Sequence, residues 1–188
     1  YYIPAFRLKR DVLPGRYTVR LTKAGQVYEM PIEVGLDRRA TYTVEDRKAQ
    51  YDATMEAHAL FGRMSALTNK LNGYCQLVAQ RVGGANVDAA TKQKLTSFGE
   101  RADVIRKEIV ATKEGGAITG EERLREQLDF AYGALSGWEG RPGDYQVARV
   151  QALAKEFAEV EAKAATLEKE LPQLNALLQK RGLGVLST

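Results

Sequence analysis

The sequence predicts an α+β protein in which a short antiparallel β part precedes an antiparallel four-helix bundle. Three observations carry this prediction. Apolar and polar residues alternate with a period of two over residues 13–34, and apolar residues recur with a period near 3.5 from about residue 45 onward. Paired glycines, Gly83-Gly84 and Gly115-Gly116, then cut the second pattern into pieces. The implied organisation is a β part over residues 1–36, a linker over 37–44 and a helical part over 45–188.

In the β part, Leu13-Pro14-Gly15 is a turn signal, and Tyr17, Val19 and Leu21 alternate with polar residues behind it. After Ala24-Gly25 a second run places Tyr28, Met30, Ile32 and Val34 on one face. With Ala24-Gly25 at the tip, Leu21 faces Tyr28, Val19 faces Met30 and Tyr17 faces Ile32. The other face then sets Arg20 against Glu29 and Arg16 against Glu33, so apolar and charge pairing agree on one register. Ala24 is a poor residue for the positive φ of a two-residue hairpin turn, so a longer loop is expected. Pro31 cannot donate to a ladder, so its N–H side is expected at an unpaired edge. A lone hairpin is not stable in water. It needs further strands, from residues 3–8 or from upstream sequence, or a helix to lie on. The hairpin reads as the last strands of an immunoglobulin-like sandwich; a hairpin packed directly on the helices is the alternative.

The helical part opens with Thr43 followed by Asp46, an N-cap with an acid at its third position. The first helix is expected over 45–81 with the seam Ala53, Ala57, Leu60, Met64, Leu67, Leu71, Tyr74 and Val78. The second, over 88–112, carries Leu95, Phe98, Ala102, Ile105 and Ile109. Thr119 with Glu122 resembles a capping box for the third, whose seam is Leu124, Leu128, Ala131, Leu135 and Trp138. Beyond Gly140-Arg141-Pro142-Gly143 the fourth helix carries Val150, Leu153, Phe157, Val160, Ala164, Leu167, Leu171, Leu174 and Leu178. Pro172 is expected to kink it or to start its last turns afresh, and Gly182 to close it. A coiled-coil dimer through this fourth helix is the rival to a bundle within one chain, so an oligomer stays open.

Residue chemistry names no active site. One Cys and one His exclude a disulfide framework and a zinc finger. Net charge is +4 over 188 residues, too mild to point to nucleic acid, and no apolar run is long enough to span a bilayer. His58 sits beside the first seam and Cys75 next to Tyr74, and neither has a nucleophile or base in a recognisable arrangement. Glu156, Glu159, Glu161, Glu168 and Glu170 interleave with Lys155, Lys163 and Lys169, as on a solvated helix face. The glycine pairs lack the Gly-Lys-Ser/Thr of a phosphate loop. No catalytic residue, metal ligand or cofactor site is therefore expected. One candidate interaction site remains, the basic cluster Arg38, Arg39, Arg47 and Lys48 at the strand-to-helix junction. Tyr1, Tyr2 and Phe6 form an aromatic group suited to packing against preceding sequence, and the opening Tyr1-Tyr2-Ile3-Pro4 reads as the interior of a longer protein.

Two stretches resemble a known family. Leu13-Pro14-Gly15-Arg16-Tyr17-Thr18-Val19-Arg20-Leu21, with Gly25, Tyr28, Pro31, Val34 and Asp37-Arg38-Arg39, is similar to a segment of large secreted bacterial sortilin-like β-propeller proteins with BNR (Asp-box) repeats. Leu171-Pro172-Gln173-Leu174-Asn175-Ala176-Leu177-Leu178 with Gly182-Leu183 is similar to their C-terminal end. The family pattern has Asp-Pro-Arg where this chain has Asp37-Arg38-Arg39. Such proteins are often labelled glycosyl hydrolases or sialidase-like, and any catalytic carboxylates would lie in the propeller upstream. The resemblance thus implies a non-catalytic accessory module of a secreted, periplasmic or cell-envelope protein. Its partner would be the upstream propeller or sandwich part, or another subunit. The alternatives are a stand-alone helical assembly protein and a part of a glycoside hydrolase whose active site lies upstream.

Overall fold

A computed structural model of the chain describes residues 11–84, 87–113 and 120–187. The described residues form an α+β chain: strands β1 (Gly15–Lys23) and β2 (Gln26–Val34), then helices α1 (Val44–Val82), α2 (Ala89–Ile109), α3 (Leu124–Ser136), α4 (Asp144–Glu168) and α5 (Leu171–Lys180). The chain divides into two compact units, Tyr1–His58 with Ala131–Val150 and Ala59–Phe130 with Gln151–Thr188.

In the first unit the strands pair antiparallel in the register that the side chains dictate, from Leu21 opposite Tyr28 to Arg16 opposite Glu33. The loop differs from expectation. It is a two-residue turn, with Ala24 at φ 49° and Gly25 at φ 80°. Left-handed backbone costs an L-residue about 1–2 kcal/mol, and nine paired positions on each strand hold Ala24 there against that cost. Hydrogen-bonded and non-hydrogen-bonded pairs alternate outward from such a turn. Thr18 and Pro31 face each other at a non-hydrogen-bonded site, so the nitrogen of Pro31 looks away from β1 as its chemistry requires. Residues 3–8, the other expected source of a strand, lie outside the described residues.

Helix α1 starts where the cap was expected. Asp46 N donates to Thr43 Oγ1 at 3.1 Å, and Thr43 N donates back to Asp46 Oδ2 at 3.0 Å. In this unit Arg47, Gln50 and Thr54 are buried beside Ala53 and Ala57. The Gln50 amide donates to the Thr54 hydroxyl and to the Leu135 carbonyl near the end of α3, and its oxygen accepts from Arg47. Trp138 was expected on the α3 seam, but α3 stops at Ser136 and Trp138 is 61% exposed. Gly137 N closes the helix on Gly133 O at 3.0 Å, which takes the following residues off the helical period.

The second unit packs the later part of α1, α2, the rest of α4 and α5. Met64, Leu71, Tyr74 and Val78 of α1 are buried, with Leu95, Phe98, Ala102, Ile105 and Ile109 of α2 and Leu153, Phe157, Val160, Ala164 and Leu167 of α4. Leu67 is only half-buried, and Phe61 and Thr68 occupy the core instead. A helix of 3.6 residues per turn drifts off a strict 3.5 repeat, and this drift moves the seam. Gly99 lets α2 approach α1 closely, since a Cβ there would lie 2.9 Å from Val78 Cγ1. Tyr74 meets Phe98 edge-to-face with ring centroids 5.6 Å apart.

Ion pairs fix the directions of these helices. Arg63 and Lys70 of α1 pair with Glu161 and Glu168 of α4, so both helices advance by seven residues in the same sense. Arg101 and Glu108 of α2 pair with Glu170 and Lys163, so α2 runs against α4. An up-and-down four-helix bundle would set its first and last helices antiparallel; here α1 and α4 run parallel. Periodicity identifies which face of a helix is apolar but carries no information on its direction. Pro172 does start the last turns afresh: α4 ends at Glu168, and α5 begins at Leu171 with Pro172 in its first turn. Gly182, at φ 67°, closes α5, with Leu183 N donating to Leu178 O and Gly182 N to Gln179 O.

Candidate interaction surface

The sheet face that the sequence marks as apolar is open. Val19, Leu21, Tyr28 and Met30 are 49–68% exposed, and Tyr17 and Ile32 are exposed beside them. These six side chains come from alternate positions of two paired strands and therefore form one continuous patch. Contiguous patches of this kind mark interaction sites more often than scattered apolar residues do. On the opposite face Arg20 pairs with Glu29 at 2.6 Å.

The basic junction is not gathered into a patch. Arg38 and Arg39 are exposed, and Arg39 is folded back onto Asp37, with Nη2 2.7 Å from Oδ2. This bond holds the Asp37 carboxyl below its usual range. Lys48 pairs with Asp52 one helical turn on. Arg47 is only 5% exposed and bonded to Gln50, so it offers no charge at the surface. Helix periodicity explains the split, because Arg47 lies on the face that carries Gln50 and Thr54 whereas Lys48 is turned toward solvent.

In the second unit Arg101 grips Glu170 through two bonds of 2.6 Å, and this guanidinium holds the Glu170 carboxyl below its usual range. The pair lines a wide groove of about 920 Å³ between α2 and α5, with Phe98 and Leu174 in its floor and Lys94 and Lys180 at its sides. Cys75 is half-buried, its thiol 3.7 Å from Gly99 O, and burial pushes its pKa up, the reverse of an activated thiolate. His58 is half-buried on α1. Among the described residues no group of three or more His, Cys, Asp or Glu is placed to hold a metal ion, and no helix is long and apolar enough to cross a membrane.

No family model, curated protein or solved structure matches the chain.

Sequence reasoning located the apolar hairpin face in full, because alternation reports directly on which side chains share a sheet face. It missed the Gln50 node and the Arg101–Glu170 clamp. Polar residues on helices carry no periodic signal that separates a buried donor from a solvated one. Only the wrong-faced position of Gln50, three residues before the seam residue Ala53, pointed to it.

Proposed function

We propose that this chain is a non-catalytic accessory module of a larger secreted or cell-envelope protein, and that its hairpin is the part that docks. The observation that carries this reading is the open apolar face of Tyr17, Val19, Leu21, Tyr28, Met30 and Ile32. Burying such side chains is worth about 1.5–3 kcal/mol each, against a typical domain stability of roughly 5–15 kcal/mol. A cover for this face therefore contributes on the scale of the whole fold. The residue pattern resembling the end of sortilin-like β-propeller proteins supports a cover from the same large protein or its subunit. On this reading the hairpin supplies the last strands of an immunoglobulin-like sandwich, a helical bundle follows it in the chain, and the module braces the propeller or holds a partner. The rival reading, a dimer through the last helix, draws less support. Val150, Leu153, Phe157, Val160, Ala164 and Leu167 of α4 are already buried within the chain.

The test is a photo-cross-linker placed at Met30 in the organism that makes the protein, with one at Phe130 as an exposed control. Adducts from Met30 to one β-rich segment of a secreted polypeptide are expected. Adducts that are the same from both positions, or none from Met30, overturn the reading.

A further inference from the structure

The two outer edges of the hairpin are chemically unequal. Positions 27, 29, 31 and 33 of β2 turn their backbone away from β1, and positions 16, 18, 20 and 22 of β1 turn theirs away from β2. On β2 this row contains Pro31, which has no N–H to give and blunts that edge. On β1 the row is Arg16, Thr18, Arg20 and Thr22, and among the described residues no strand pairs with this edge, so each residue there offers a backbone donor and acceptor. The same four side chains share one face of β1 and bring two guanidinium groups. Arg20 is held by Glu29, whereas Arg16 has no ion-pair partner among the described residues. The other face of β1 is Tyr17, Val19 and Leu21, all exposed.

Resting on the docking role proposed above, we infer that β1, and not β2, receives a partner β-strand by edge pairing. The partner strand carries acidic residues at alternate positions, opposite Arg16 and Arg20, and apolar residues on the side of Tyr17, Val19 and Leu21. Main-chain bonds supply affinity in such an addition, and the alternate side chains supply specificity. A second copy of β1 fits poorly, because its own arginines would enter the same face.

The test uses the ¹⁵N-labelled 188-residue chain and a synthetic nonapeptide of alternating valine and glutamate, with a valine–lysine peptide as control. Amide exchange is followed residue by residue. With the acidic peptide the amides of Arg16, Thr18, Arg20 and Thr22 are expected to slow roughly ten-fold, while those of Val27, Glu29 and Glu33 are unchanged. Thr18→Pro removes one outward donor without touching the bonds to β2, so it should abolish the effect. The Hα–Hα contact between Arg20 and Glu29 reports that the hairpin persists. Arg16→Glu, which leaves the backbone intact, should weaken the acidic peptide roughly five-fold and favour the lysine peptide. Protection on the β2 edge, equal protection by both peptides, or no protection at millimolar peptide overturns the edge assignment. If Met30 still cross-links to a β-rich segment in that case, the docking reading survives and only the edge is wrong; if it does not, both fall.

Discussion

Ala24 has a backbone conformation that suits Asn or Gly better, at φ 49° in a turn with Gly25. Replacing it with Asn should stabilise the hairpin by about 1 kcal/mol, read as a roughly five-fold rise in the protection of the cross-strand amides. Gln50 links two helices within the first unit, since it satisfies the Leu135 carbonyl and engages the buried Arg47. Gln50→Leu leaves both groups without that partner, and a loss of about 2–3 kcal/mol in denaturant unfolding is expected. Glu121 shows how one carboxylate joins the chain just after α2 to the chain just before α3. Its Oε1 accepts from Thr112 N at 2.8 Å and from Lys113 N at 3.3 Å, and its Oε2 meets Arg123 at 2.8 Å. The Thr112 bond leads the causes that hold its pKa at about 2. Because the folded value lies below that of the unfolded chain, this stabilisation is complete above about pH 4.5 and fades as pH falls toward 2. A carboxyl ¹³C titration of Glu121 should thus show its midpoint near 2; an ordinary glutamate midpoint would show that the three bonds do not form.

Helices α1 and α2 meet at Gly99, where the space for a side chain is filled by Val78. Gly99→Ala should cost about 1–3 kcal/mol through overpacking, and adding Val78→Ala should recover part of it; equal stability of Gly99→Ala and the parent in urea would contradict the close approach. The elements themselves were legible to differing degrees. The hairpin register was readable because apolar and charged pairs constrain it independently, and a slip by one residue would break both. The start of α1 was readable because Thr43 and Asp46 satisfy each other locally. The parallel course of α1 and α4 was not readable, since it resides in pairs such as Arg63–Glu161 and Lys70–Glu168 that join residues far apart in the chain. Nor was the turn at Ala24, because the preference of one residue yields to the pairing of two whole strands. The basic junction divides for a related reason: α1 turns Arg47 inward and Lys48, about 100° further round, toward solvent, while Arg38 and Arg39 lie before the helix begins.

At the scale of the molecule the division of labour is between helices that bury their apolar faces and a hairpin that does not. Phe98, Phe157, Leu71, Leu95 and Leu153 are almost wholly enclosed, whereas both strands are exposed along nearly their whole length. A two-stranded ribbon with no cover is marginal in water, so its order depends on what it meets. The same exposure predicts that the chain binds a hydrophobic dye, and that Val19→Glu with Met30→Glu removes most of the signal while the helical circular dichroism stays unchanged. The claim beneath all of this is that the hairpin face is open and awaits a cover, and residue-resolved hydrogen exchange of the 188-residue chain tests it most directly. The amides of Val19, Leu21, Tyr28 and Met30 should exchange roughly a hundred-fold faster than those of Leu71, Phe98 and Leu153. Protection of the hairpin equal to that of the helices would show that it is self-sufficient and would contradict the account.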